Sequence, residues 1–150
     1  MKKHLLYFLV CLLISTGARA QNFGDPAHWK IEAVPGNDLY YNFVFSVDLD
    51  SGWHIWSLKP GGDGTLIAPV FSFDIGNYTL NGDMYEQGKL KEEFMEGIDG
   101  KVRYFFKKAE FIQSIKARQG ELITGAYTYQ LCSDMVCLPP KTIKFKYTIP

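Results

Sequence analysis

The sequence predicts an all-β fold, a sandwich of short antiparallel strands. Two observations carry that expectation. Apolar and polar residues alternate with a period of two, most clearly over residues 41–49, where Phe43, Phe45 and Val47 point one way and Asn42, Ser46 and Asp48 the other. Turn signals then recur about every 8–12 residues, the spacing of a sandwich or barrel, and no helical stretch of useful length interrupts them. A closed eight-stranded barrel is the architectural alternative.

In chain order, residues 21–28 are polar, carry Gly24 and Pro26, and read as a loose lead-in. Residues 29–34 make a first short strand, stopped by Pro35-Gly36-Asn37-Asp38. The alternating strand 41–49 follows, then the turn Asp50-Ser51-Gly52 and a short strand 53–57. Trp53 and Ile55 share one face of that strand, His54 and Trp56 the other. Residues 59–64 read as a flexible loop, 70–73 as a strand, and 78–85 as an edge piece. Residues 87–100 are charged and glycine-punctuated, the pattern of a surface loop with an apolar tip at Phe94 and Met95. Val102, Tyr104 and Phe106 share a face in the next strand. Apolar parity reverses at Ala109 and Phe111, which predicts a bulge or turn near Lys107-Lys108. Strands 122–131 and 142–149 complete the set.

The chain opens with Lys2 and Lys3, an apolar run over 5–14, and Ala18-Arg19-Ala20. This is the pattern of a secretory signal peptide, residues 1–20, cut before Gln21 and taking Cys11 with it. The apolar run is too short for a stable membrane span, so no stable membrane insertion is expected after cleavage. The signal removes three of 16 basic residues against 16 acidic ones, so the mature domain, 21–150, carries a net charge of −3. A mildly acidic domain has no electrostatic reason to seek nucleic acid.

Only Cys132 and Cys137 remain after position 20. Two cysteines in an exported chain normally pair, because such compartments are oxidising. A four-residue loop between antiparallel strands sets the flanking residues opposite each other, within disulfide reach. Parity raises a conflict, however. Ile123, Tyr127, Tyr129 and Leu131 form the apolar side of one strand, and Ile143, Phe145 and Tyr147 that of the other. The second set has the parity of Cys137, while Cys132 is out of phase with the first. A bulge over 139–141 would reconcile them. As a staple, the bridge closes a loop of about six residues, worth roughly 2 kcal/mol in the chain-entropy model. Joining distant segments would stabilise more, so staple and redox site both stay open on chemistry alone. Copper(I) ligation by Cys132, Met135 and Cys137 is a further alternative.

The pattern Tyr129-Gln130-x-Cys132-x4-Cys137-Leu138-Pro139-Pro140 resembles the N-terminal periplasmic domain of the thiol:disulfide interchange protein DsbD. Gly52-Trp53-His54-Ile55-Trp56-Ser57 and Glu92-Glu93-Phe94 agree with the same family and extend the resemblance over most of the mature chain. The resemblance implies an immunoglobulin-like β-sandwich with Cys132 and Cys137 as the redox pair. It also implies that His54, Trp56 and Tyr129 line the site, and that a cap loop with Glu93, Phe94 and Met95 covers the disulfide. The covering residue is left between Phe94 and Met95. His54 departs from the tyrosine of the family's pattern.

The implied activity is thiol:disulfide exchange, a protein-disulfide reductase component without a cofactor. Its partners would be a thioredoxin-like donor and oxidised periplasmic proteins. The second cysteine, Cys137, would form the mixed disulfides, with Lys141 and Lys144 modestly favouring its thiolate. With the sequence ending at Pro150, the membrane and thioredoxin-like functions of full DsbD would come from separate proteins, or the domain would be repurposed. The alternative from another class is a non-catalytic β-sandwich binding module with a structural disulfide.

Overall fold

The computed structural model describes residues 24–37 and 39–150. The expected signal peptide and its cleavage point lie outside the described residues. Nine strands make up the fold among those described: β1 (Ala27–Pro35), β2 (Tyr40–Leu49), β3 (His54–Gly61), β4 (Val70–Phe73), β5 (Thr79–Phe94), β6 (Lys101–Lys116), β7 (Leu122–Tyr129), β8 (Leu131–Cys132) and β9 (Lys141–Thr148). They form two antiparallel sheets, and the architecture is the expected immunoglobulin-like sandwich. The larger sheet holds β1, β2, β3, β5, β6 and β8, and the smaller one has the order β4-β7-β9.

The long strand β6 is the spine of the larger sheet. Strand β5 pairs along nearly all of it, β2 pairs with its second half and β3 with its first. The alternation read from residues 41–49 sets the sandwich core: Phe43, Phe45 and Val47 are fully buried. Phe43 and Phe45 meet Phe71 and Phe73 of β4 and Phe145 of β9 in a mesh of edge-on and tilted ring contacts. Gly125 of β7 is part of this fit, because a Cβ there would lie 2.0 Å from the Ser72 carbonyl oxygen and 2.8 Å from the Phe145 ring. A glycine there leaves room for the ring.

Three expectations need correction. Of residues 87–100, only 95–100 form a loop: β5 runs to Phe94 and the chain turns back through those six residues into β6, with Phe94 paired to Lys101. Most of β5 is exposed on both faces, so it lacks the alternation that marks a half-buried strand. Residues 59–61, read as flexible loop, belong to β3, whose irregular stretch is tied down by Glu86. That carboxylate accepts hydrogen bonds from the Ser57 hydroxyl and the Leu58 N–H, both at 2.6 Å.

The third correction is to strand 122–131, which is broken at Gln130. Strands β7 and β9 pair without a bulge, Ile123 with Tyr147 and Tyr127 with Ile143, so both apolar sets face the core. The cysteines do not sit on that hairpin. The chain leaves the smaller sheet at Gln130, and Leu131 and Cys132 join the larger one beside β3. The parity conflict is resolved where expected: Tyr129 pairs with Lys141 but Leu131 with Leu138, so Pro139 and Pro140 stand against Gln130 alone. That one extra residue sets Cys132 and Cys137 on a common face while Cys132 stays out of phase with Tyr127 and Tyr129.

The irregularity expected near Lys107 is present. Lys107 has φ 64°, and between Gly88 and Leu90 the β5 register skips two extra residues of β6. Two added residues keep the parity, so Phe105, Ala109 and Phe111 all face the core. The apparent reversal in the sequence has another cause. Val102, Tyr104 and Phe106 point to the opposite face of the sheet, where they cover a second, smaller cluster.

Candidate functional site

That second cluster surrounds the cysteines. Trp56, Val102, Tyr104 and Cys132 are its buried members, with Leu66, Met95, Ile98 and Phe106 packed around them. It lies on the outer face of the larger sheet, on the far side of β3 and β6 from the aromatic core. The two faces of β3 divide as the sequence indicates: Ile55 enters the main core, while His54 and Trp56 enter the cysteine cluster.

The cysteines sit on a small hairpin of their own. The Ser133 N–H donates to the Val136 carbonyl and the Leu138 N–H to the Leu131 carbonyl, each at 2.8 Å, so Asp134 and Met135 form the tip. The Ser133 hydroxyl oxygen accepts from the N–H groups of Met135 and Val136, which steadies the turn. Cys132 and Cys137 face each other in this ladder and are joined as a disulfide, with Cα atoms 4.0 Å apart. Their surroundings differ sharply. Cys132 is 1 % exposed, whereas Cys137 is exposed, flanked by Met135 at 94 % and Val136 at 53 %.

His54 is the register partner of Cys132 across β3 and β8, and of Phe106 across β3 and β6. It is 3 % exposed and packed among Trp56, Tyr104 and Phe106, with ring centroids 4.7–5.7 Å away. Burial pushes the imidazole below its usual 6.5, against the pull of the Asp134 and Glu93 carboxylates. Burial also raises the Tyr104 phenol, and its hydrogen bond to Glu93 adds to that. Lys91 lies 4.7 Å from the centroid of the Phe106 ring.

The structure thus brings Cys132, Cys137, His54 and Trp56 together, with Glu93 and Met95 from the β5–β6 hairpin. Phe94 stands apart at 72 % exposure, its ring 5.9 Å from the Lys101 ammonium. Of the two candidates for a covering residue, Met95 is the one packed on the cluster. Tyr129 is a correction. It lies in the core between the sheets, its ring 5.0 Å from Trp29 and its hydroxyl donating to Asp25 at 2.6 Å, because the chain changes sheets only after it. Lys141 is engaged with Asp25 at 2.5 Å, which leaves it paired away from the cysteines.

Sequence reasoning missed Tyr104 as a site residue, together with Ile98 and Leu66. The signal for Tyr104 was present, since Val102, Tyr104 and Phe106 already shared a face opposite in parity to the core residues after them. A surface groove beside Trp53, Lys89 and Lys107 reaches the far side of Phe106 and includes neither cysteine.

Sandwich and site together define an immunoglobulin-like domain built to present one sulfur of a disulfide. Residues 25–149 match the family described as thiol:disulfide interchange protein DsbD, N-terminal, and the chain belongs to that family. Among solved structures it is similar to the N-terminal periplasmic domain of ScsB from Proteus mirabilis. That likeness has a TM-score of 0.61 at 20 % identity and covers 84 % of this chain and 47 % of that one. The chain therefore spans about half the length of that neighbour, and the likeness is one of fold. It also resembles the reduced N-terminal domain of Neisseria meningitidis DsbD, with 20 % identity, a TM-score of 0.45, and coverage of 80 % of this chain and 84 % of that one. No curated protein matches the sequence. The family's description names thiol:disulfide interchange, and this chain carries a cysteine pair joined as a disulfide.

Proposed function

We propose that the domain is an exported, periplasmic relay that accepts reducing equivalents from a thioredoxin-like donor and passes them to oxidised periplasmic proteins. The observation that carries this reading is the asymmetry of the disulfide: Cys137 is exposed while Cys132 is 1 % exposed. A donor thiolate reaches the Cys137 sulfur and forms a mixed disulfide there, and Cys132 leaves as the thiolate. The donor's second thiolate then attacks its own sulfur in that bond, which releases reduced Cys137 and oxidised donor. In the forward half of the cycle, Cys137 attacks an acceptor disulfide and Cys132 resolves the product. Two electrons move in each half, carried by sulfur alone, so no cofactor is required.

The exposed Met135 and Val136 beside Cys137 give a docked partner an apolar contact. The β5–β6 tip, through Met95 and Ile98, shields the Cys132 side. Equilibration with glutathione or dithiothreitol tests the reading against that of a structural bridge. A relay disulfide has a reduction potential above about −300 mV, and a value well below that contradicts the relay.

A further inference from the structure

The β3–β8 pairing sets His54 directly opposite Cys132 on one face of the sheet. Facing residues in an antiparallel pair have Cβ atoms about 4.5–5.5 Å apart. His54 is 3 % exposed, and neither of its ring nitrogens has a hydrogen-bond partner among the described residues. Buried polar atoms nearly always find partners, and an orphan asks for a reason. Here the reason lies in the second redox state. Opening the disulfide places a negative charge on Cys132 Sγ, among Trp56, Val102 and Tyr104, where water cannot solvate it.

We propose that His54 is the proton-holding partner of Cys132: when the disulfide opens, its imidazole hydrogen-bonds the buried sulfur, and the pair takes up one proton in common. The inference rests on the exchange reading above and deepens it. The donor thiolate makes a new S–S bond to Cys137, the Cys132–Cys137 bond breaks, and its electron pair goes to Cys132 Sγ. A neutral imidazole N–H donates to that thiolate. The donor's second thiol ionises to resolve the mixed disulfide and releases a proton to solvent, and the Cys132–His54 pair takes up one in exchange. Cys137 leaves as a thiolate and is protonated from water. Counting the proton that the donor's first thiol gave to solvent on forming its thiolate, two electrons and two protons have then passed from the donor dithiol to the domain.

The groups that face His54 fit this role. From β6, Tyr104 has its hydroxyl committed to Glu93, so it does not compete for the sulfur. From β5, the Glu93 carboxylate favours the protonated ring, while Lys91 is drawn to the rings of Phe106 and Tyr104. From the cysteine hairpin, Asp134 favours the protonated ring as well. Burial opposes both carboxylates and keeps the ring neutral until the thiolate forms.

Ionisation of Cys132 in the full chain carrying Cys137→Ala, followed by thiolate absorbance, tests the inference without any donor or acceptor protein. Adding His54→Phe is expected to raise the Cys132 pKa by at least one unit, a tenfold loss of thiolate at a given pH. His54→Gln, which keeps an N–H donor, is expected to recover part of that loss. An unchanged Cys132 pKa in the phenylalanine variant overturns the proposal. Should that variant fail to fold, nitrogen-15 shifts of the His54 ring in the Cys137→Ala protein decide the matter. A ring that changes in step with Cys132 ionisation supports it, and one that ignores it overturns it. A domain that exchanges with no partner would defeat the relay and leave this test to stand by itself.

Discussion

The Tyr104 hydroxyl donates a hydrogen bond to the Glu93 carboxylate, and that bond fastens the β5–β6 hairpin over the face that carries Cys132. The Tyr104 ring is 1 % exposed and belongs to the cysteine cluster, whereas Glu93 is an exposed residue of the hairpin arm. Tyr104→Phe keeps the ring and removes the tie. Stability is expected to fall by about 1 kcal/mol, since the freed carboxylate returns to water. Hydrogen exchange at the tip, residues 95–100, should rise by more than exchange elsewhere. Uniform exchange with an unchanged urea midpoint would mean that the bond fastens nothing.

Met95 and Phe94 are adjacent but have opposite prospects. Met95→Ala strips a side chain from the cluster and opens the Cys132 side. Peptide mapping after brief treatment with glutathione should then find adducts on both sulfurs, where the wild type carries them on Cys137. Phe94→Ala removes a ring that is 72 % exposed. Its stability should stay within about 0.5 kcal/mol of the wild type, the usual range for surface changes. A large loss there, with no effect at Met95, would exchange their roles.

Acid should weaken the oxidised domain through His54. The unfolded ring titrates near 6.5 and the folded ring lower. Between those values the unfolded state binds more protons, so stability is full above pH 6.5 and declines as pH falls through that window. Asp25 acts at a different point. Burial raises its carboxyl, but hydrogen bonds from Lys141, Tyr129 and the Ala27 N–H outweigh it and hold the value below 3.8. Its contribution is present above 3.8 and is lost only as pH falls through the folded value. Urea midpoints at pH 7.5, 6.5 and 5.5 separate the two, because His54→Phe should flatten the decline across that range. An equal decline in the variant would assign it elsewhere.

Much of this was legible in the sequence, and the gaps have physical causes. The alternation of Phe43, Phe45 and Val47 identified β2 because one face of that strand is core and the other is not. The spacing of Cys132 and Cys137 indicated a local bridge, and the two faces of β3 were correctly separated. Strand β5 was hidden because a strand solvated on both faces carries no period. The crossing at Gln130 was hidden because no glycine or proline marks it, so Tyr129 and Cys132 looked like neighbours in one strand. Lys141 could not be placed because its partner, Asp25, lies more than a hundred residues earlier.

Which sulfur meets a partner decides the relay mechanism, and mixed-disulfide trapping reads that directly. Cys132→Ala and Cys137→Ala variants of the domain would each be incubated with the reduced thioredoxin-like donor lacking its resolving cysteine, after activation of the remaining thiol. Non-reducing electrophoresis and mass spectrometry then report the adduct. The exposure of Cys137 and the burial of Cys132 predict a stable adduct through Cys137 in the Cys132→Ala protein and little in the other. Trapping through Cys132 alone, or through neither cysteine, would contradict the account.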